Sequence, residues 1–283
     1  MRRFAFVLLC LLTLASACSL GPRQEWAETM RAAHKRAARV GGALVKQTVT
    51  VKAIETNIRQ EPEPLVARSA GTVDFAHKRA DLTSKTGRKT EVVYNDLVVF
   101  ATRSPGTPGA KTKPWARFDY GHEPTDDIDD NDRRMAVGAG LISPVVALEV
   151  LEGVLTGSVK QLGTGMKAGA QTTRYSARLA PDAAIIEIRD EERKEGVERM
   201  FQTLAVEADD FIVDVWIDAE DRVRGLRFNL EQQKDRVNRF KTTVSWEFTD
   251  YGAAGSIEQP PSDETVRSDR FRDFVTEVIR EFG

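Results

Sequence analysis

From residue 43 the chain takes up a period of two. Val45, Val49, Val51 and Ala53 alternate with Lys46, Thr48, Thr50 and Lys52. Successive side chains on a strand point to opposite faces, so one face is apolar and the other polar. A half-buried strand follows, and with it a sheet that needs a cover on one side.

The same arithmetic applies further along. Residues 71–80, where Val73 and Phe75 alternate with Asp74 and Lys78, read as the next strand. Residues 90–94 and 97–102 are rich in valine and aromatics and are separated by Asn95-Asp96, the chemistry of a tight hairpin turn. Residues 115–120 add a short strand after the Pro/Gly-rich connection 104–114, and residues 59–64 are a loop with two prolines. Strands are expected again at 169–180, at 211–218 and 222–230 around Ala219-Glu220-Asp221, and at 241–251. Hairpin-length links favour an antiparallel meander over βαβ units.

Four stretches switch to the helical period. Residues 23–39 place Trp26, Met30, Ala33 and Ala37 on one side, and Gly41-Gly42 ends them. Ser143-Pro144 opens a helix as N-cap and first helical residue, and Leu148, Leu151, Leu155, Val159 and Leu162 form its stripe. Residues 190–204 turn Val197, Met200, Phe201 and Leu204 inward. Past Pro260-Pro261, an amphipathic helix over 268–282 carries Phe271, Phe274, Val275, Val278 and Phe282 on one side and could cover the open edge of the sheet. The fold class is α+β: a curved antiparallel sheet, or half-open β-barrel, of about nine or more strands covered by helices.

The N-terminal residues specify an address. Met1-Arg2-Arg3 is basic, residues 4–14 are apolar apart from Thr13, and Ala15-Ser16-Ala17-Cys18 follows. That is the layout of a secretory signal peptide, and the apolar run falls short of the roughly 20 residues that span a bilayer. Ala15 and Ala17 alone would satisfy an ordinary cleavage site. A cysteine directly after three small residues also resembles the lipobox, with Ala15 where leucine is commonest. The expected organisation is a signal peptide over 1–17, a lipidated tether over 18–22 and one domain over 23–283. Lipidation of Cys18 would hold the protein at the outer, periplasmic-side face of the cell membrane, since each buried methylene contributes about 0.8 kcal/mol. Cys10 leaves with the signal, so no disulfide or zinc-thiolate site is expected.

The formal net charge is −2, and losing Arg2 and Arg3 makes it more acidic, so no nucleic-acid partner is expected. The acidic run Asp126, Asp127, Asp129, Asp130 and Asp132 has alternate-position oxygens at Asp127, Asp129 and Asn131. Gly138 stands where a calcium loop needs its closing glutamate, and the run reads as a solvated loop rather than a cation site.

The residues Val213-Asp214-Val215-Trp216-Ile217-Asp218-Ala219-Glu220-Asp221-Arg222-Val223-Arg224, then Val244-Ser245-Trp246-Glu247-Phe248-Thr249-Asp250-Tyr251-Gly252 and Ile257-Glu258-Gln259-Pro260-Pro261, resemble the closing hairpin and strand of actinobacterial LppX/LprG-like lipoproteins. The entry Gly169-Ala170-Gln171-Thr172-Thr173-Arg174-Tyr175 after a long helix is similar too. These lipoproteins are similar in fold to the LolA and LolB lipoprotein carriers. The resemblance, which covers most of 23–261, implies a half-barrel whose concave face encloses an apolar cavity for acyl chains. Its lining candidates are the inward strand residues Val49, Val51, Val73, Phe75, Val92, Tyr94, Phe118, Leu226 and Phe228. The same side chains would equally make a filled core.

No catalytic grouping emerges. His34, His77 and His122 have no paired spacing, and no G-x-S-x-G, P-loop, dinucleotide fingerprint or H-E-x-x-H occurs. Gly163-Thr164-Gly165 and Gly138-Ala139-Gly140 read as loop or helix-end residues. Asp209-Asp210 and Glu191-Glu192 read as solvated. The chain is therefore expected to be no enzyme and to use no cofactor or metal. Its expected partners are a lipid or hydrophobic small molecule, the membrane through the anchor, and an exported or membrane protein. The alternative is a surface protein-binding or sensing module with a filled core, touching its partner through the acidic loop and the basic helix at 23–39.

Overall fold

β1 (Gly42–Glu55) forms the middle of the sheet. In the computed structural model, which describes residues 21–55, 63–85, 89–123, 136, 139–186, 188–203, 210–233, 239–253 and 255–279, β1 pairs antiparallel with two strands. These are β2 (Leu65–Asp74) and β11 (Arg239–Thr249); Val49 lies opposite Ala67 on one side and Val244 on the other. Val45, Val49 and Val51 are buried and Lys46 is exposed, as the period requires. Gln47 shares the valines' phase and is buried as well. Its amide is satisfied at both ends, donating to the Ile142 carbonyl at 3.0 Å and accepting from the Ser69 hydroxyl at 3.0 Å.

Two meanders flank β1. β3 (Arg79–Ser84), β4 (Glu91–Asn95), β5 (Val98–Thr102) and β6 (Trp115–Asp119) step outward beyond β2. β7 (Lys160–Lys167), β8 (Ala170–Leu179), β9 (Phe211–Asp218) and β10 (Val223–Gln233) start at the far edge and walk inward to β11. β12 (Thr265–Arg267) adds beside β6, giving, among the described residues, 12 strands in the order β12-β6-β5-β4-β3-β2-β1-β11-β10-β9-β8-β7. Every neighbouring pair is antiparallel except β12–β6, which is parallel. Register shifts at Ala53/Glu55, Gln161/Gly163 and Val223/Gly225 bend the strands and add to their natural twist. The edges β12 and β7 do not pair with each other, so the curved sheet stays open and the architecture is an α+β half-barrel.

This order forces the cover. β6 and β7 lie near opposite ends of the sheet, so the chain between them must cross it. The crossing carries α3 (Pro144–Glu149), whose first five residues are all buried. The Ser143 hydroxyl accepts from the Val146 N–H at 3.5 Å, so the N-cap forms where the sequence places it. The helix is much shorter than its apolar stripe implies. Turns of 3-10 helix follow at Val150–Gly153 and Thr156–Ser158, and β7 begins at Lys160. A Cβ on Gly153 would lie 2.3 Å from the Ala180 carbonyl oxygen, so this segment is pressed against the start of α4 (Pro181–Ile186). Leu155 donates to the Arg178 carbonyl and Ala180 to that of Gly153, so β8 takes up the backbone that would have continued the helix. Leu162, expected in that stripe, is 50% exposed on β7, and Gly163-Thr164-Gly165 are strand residues, not a loop or helix end.

Other departures are local. The single helix expected over 23–39 is two, α1 (Pro22–Arg31) and α2 (Ala33–Val40), joined at Ala32; Met30, Ala33 and Ala37 are buried and Trp26 half-buried. The strand expected over 71–80 is the β2–β3 hairpin. There the Asp74 carboxylate accepts from the His77 N–H at 3.1 Å, and Lys78 has φ 56°. The β4–β5 turn falls one residue later than expected, on Asp96-Leu97, since Asn95 pairs with Val98 and Asp96 takes φ 55°. α5 (Glu191–Thr203) buries Val197, Met200 and Phe201. α6 (Phe271–Ile279) does not cap a bare edge, because β12 occupies that place. It packs on β6, with the Phe271 and Phe274 rings 5.2 and 6.0 Å from that of Phe118. Leu204, Phe282, Cys18 and the acidic run 126–132 lie outside the described residues.

Candidate functional site

All nine residues expected to line a lipid cavity lie in one buried core cluster: Val49, Val51, Val73, Phe75, Val92, Tyr94, Phe118, Leu226 and Phe228. They are occupied with one another and with the crossing segment. Phe75 meets Phe248 at 5.6 Å, Phe118 meets Tyr120 at 5.0 Å, and Phe228 sits between Phe211 and Trp246, each at 5.1 Å. The Tyr94 hydroxyl donates to the Gly140 carbonyl at 3.0 Å, and with Gln47 it pins residues 140–142 to the sheet. Burial, with Tyr120 nearby, pushes the Tyr94 hydroxyl well above its ordinary value, so it remains a donor. Where α3, α5 and Phe228 meet, a void of about 10 Å3 remains. That is the scale of one water, against roughly 300–1,000 Å3 for a ligand pocket.

A hollow of ligand scale lies outside the core. Between the start of α1 and the segment leading into β7 runs an open groove of about 760 Å3. Pro22 and Trp26 form one wall, Thr156, Gly157 and Val159 another, and Leu162 stands at the β7 end, with Arg23, Gln24, Lys160 and Gln161 along the rim. Arg31 holds the walls together: its Nε donates to the Val154 carbonyl at 3.1 Å and its Nη2 to the Thr156 hydroxyl at 2.8 Å. The Trp26 ring is backed by Tyr175 of β8 at 6.3 Å. The Ser158 hydroxyl donates to the Leu155 carbonyl at 2.6 Å and accepts from the Arg178 N–H at 2.8 Å, fixing the opposite wall. Sequence reading missed this groove because it placed Val159 and Leu162 on a core helix. The turn that separates them from α3 depends on Gly153 meeting Ala180, a contact between segments and not a local signal.

A second cleft of about 350 Å3 is polar, lined by His34, Lys35, Glu149, Glu152, Arg189 and Arg193 with Val150, Ala184, Ile188 and Val197. Its charges are largely paired. Lys35 meets Glu152 at 2.7 Å, Lys78 reaches Glu149 at 3.4 Å, and Arg193 bonds both Asp96 and Glu149. Burial pushes His34 below its ordinary value, opposed by Glu152 3.5 Å away and by the Arg31 carbonyl at 3.0 Å. The imidazole is therefore neutral near pH 7. His77 pairs with Asp74, and His122 with Asp119 and Glu192, so the three histidines serve three separate places. Among the described residues no group of three or more His, Cys, Asp or Glu has the arrangement to hold a metal ion, and no helix is long and apolar enough to cross a membrane.

No family model matches the chain, and no curated protein sequence matches it. Among solved structures it is similar to the lipoprotein LppX of Mycobacterium tuberculosis, at 11% identity and TM-score 0.42, over 82% of this chain and 99% of that one. It is similar to LprF of Mycobacterium bovis at 13% identity and TM-score 0.37, over 83% and 97%. A Pseudomonas aeruginosa MucA/MucB complex follows at 10% identity and TM-score 0.28, over 86% and 62%.

Proposed function

We propose that this chain is an exported lipoprotein, lipidated at Cys18 and held at the outer face of the cell membrane, that binds a lipid or another hydrophobic ligand without catalysis. The observation that carries this reading is the groove of about 760 Å3 under α1, with Trp26 and Leu162 as its accessible apolar side chains. The nine inward strand residues lie in one buried cluster, so this reading seats the ligand in the groove rather than against them. A ligand in the groove would lie along Trp26 and Leu162, its polar end within reach of Arg23 or Lys160. Binding and release then need no opening of the core, which suits a carrier that takes up and gives back its ligand.

Native mass spectrometry of the mature protein purified from its host membrane tests this reading. A hydrophobic adduct beyond the anchor lipid is expected on the native chain and not on Leu162→Glu. A native chain that never carries an adduct would sink the proposal.

A second reading is favoured by one observation, the close packing of all nine candidate lining residues. It is a protein-binding module with a filled core. Under it, a partner captured by the native chain would be retained by Leu162→Glu.

A further inference from the structure

β7 stands apart from the rest of the sheet. Among the described residues it is a terminal strand, paired on one side, and seven of its eight residues are exposed. Two large apolar side chains lie on it in water, Leu162 at 50% and Met166 at 69% exposed. The other large apolar residues exposed to this degree are scattered through the fold, whereas these two share a strand that borders the groove. An exposed apolar edge strand invites pairing with another chain unless bulges or charges blunt it. β7 has both: the shift at Gln161/Gly163, where Gly163 takes φ 127°, and the exposed Lys160. Those devices discourage a second strand and leave the apolar side chains available to a surface that needs no hydrogen-bond register.

Position supplies the surface. Only three peptide steps separate Cys18 from Gly21, a reach of roughly 10 Å even when fully extended. Gly21 and Pro22 lie on the groove, together with Leu162. A lipid on Cys18 therefore brings this end of the molecule, and no other, to the bilayer. The rim residues Arg23 and Lys160 are exposed cations beside it, complementary to anionic headgroups. Lys167 is engaged with Glu247 and has a carboxylate partner already.

We propose that the β7–β8 ribbon rests on the membrane, with Leu162 and Met166 in the headgroup–acyl boundary and Arg23 and Lys160 among anionic headgroups, so that the groove opens onto the outer leaflet. This inference rests on the lipidation of Cys18 in the preceding section and deepens it, naming a leaflet lipid as the ligand's source. The anchor confines the domain, and the ribbon sets its orientation.

The test uses the full chain expressed in a bacterial host, with a single added cysteine at Leu162→Cys, Met166→Cys or, as a remote control, Leu65→Cys. The lipidated mature protein is labelled with an environment-sensitive fluorophore and reconstituted into phosphatidylethanolamine and phosphatidylglycerol vesicles containing acyl-chain spin labels. Labels at 162 and 166 are expected to be quenched about twofold more than the label at 65, as for groups seated roughly 5–10 Å into the boundary. Protein that floats with the vesicles while all three labels are quenched alike overturns the orientation and leaves the anchor standing. Protein that does not float, and whose Cys18 also takes up label, overturns both.

Discussion

The Nη2 of Arg31 donates to the hydroxyl of Thr156 across 2.8 Å, joining two residues 125 positions apart, and this pair sets the relation between the two walls of the groove. The same side chain satisfies the carbonyl of Val154, which precedes the 3-10 turn at Thr156–Ser158. Arg31→Met keeps the aliphatic stem but leaves that carbonyl without its partner. A loss of about 1–3 kcal/mol in urea unfolding is expected, together with weaker binding of a hydrophobic ligand. Unchanged stability would show that α1 is held by its apolar face alone.

Tyr94 makes a sharper distinction between a filled and an openable interior. Its hydroxyl donates to the Gly140 carbonyl from a fully buried ring. Tyr94→Phe is expected to destabilise by about 1–2 kcal/mol and to raise hydrogen exchange at 140–143 more than at β1. Exchange that rises equally everywhere would mean that the crossing segment opens only with global unfolding.

His34 gives the polar cleft a pH signature. Burial holds its folded pKa below the ordinary 6.5, so the unfolded chain binds a proton more readily than the folded one. Stability from this group is complete above about pH 6.5 and is lost as pH falls toward the folded value. Unfolding midpoints at pH 7.5 and 5.5 should therefore differ less in His34→Gln than in the native chain. An identical difference in both would assign the acid sensitivity to other groups.

The C-terminal helix is fixed by a partly buried pair, in which Arg103 is buried and the Glu277 side chain is 28% exposed. Arg103 donates through Nε to Glu277 at 2.7 Å and through its other nitrogens to the Lys113 and Pro108 carbonyls at 2.9 Å each. Glu277→Ala removes the carboxylate but leaves the carbonyl partners of Arg103, and with Glu277 partly open to solvent it is expected to cost about 1–2 kcal/mol. Combining it with Arg103→Met should recover part of that loss. Strict additivity of the two losses would argue against the pairing.

These contacts show where the sequence was readable. Val45, Val49 and Val51 announced β1 because its alternation is a property of neighbouring residues, and Ser143-Pro144 announced the start of α3 for the same reason. The end of α3 was hidden because it is imposed by Ala180 lying against Gly153, and β7 carries no apolar alternation since it covers nothing. The β2–β3 turn lacks glycine and proline, so Asp74 and His77 close it without a compositional mark. The nine inward residues were legible as inward. That Gln47 and Tyr94 hold the carbonyls of Ile142 and Gly140 was not legible, since no local pattern encodes contacts between such distant segments.

The most direct measurement is a fluorescence titration of the mature chain with cis-parinaric acid, comparing the native protein with Leu162→Glu and Tyr94→Phe. The account predicts saturable binding that weakens tenfold or more in Leu162→Glu, about 1.4 kcal/mol, and stays near native in Tyr94→Phe. Binding unaffected by Leu162→Glu, or no binding to the native chain, would contradict a hydrophobic ligand in the groove beneath α1.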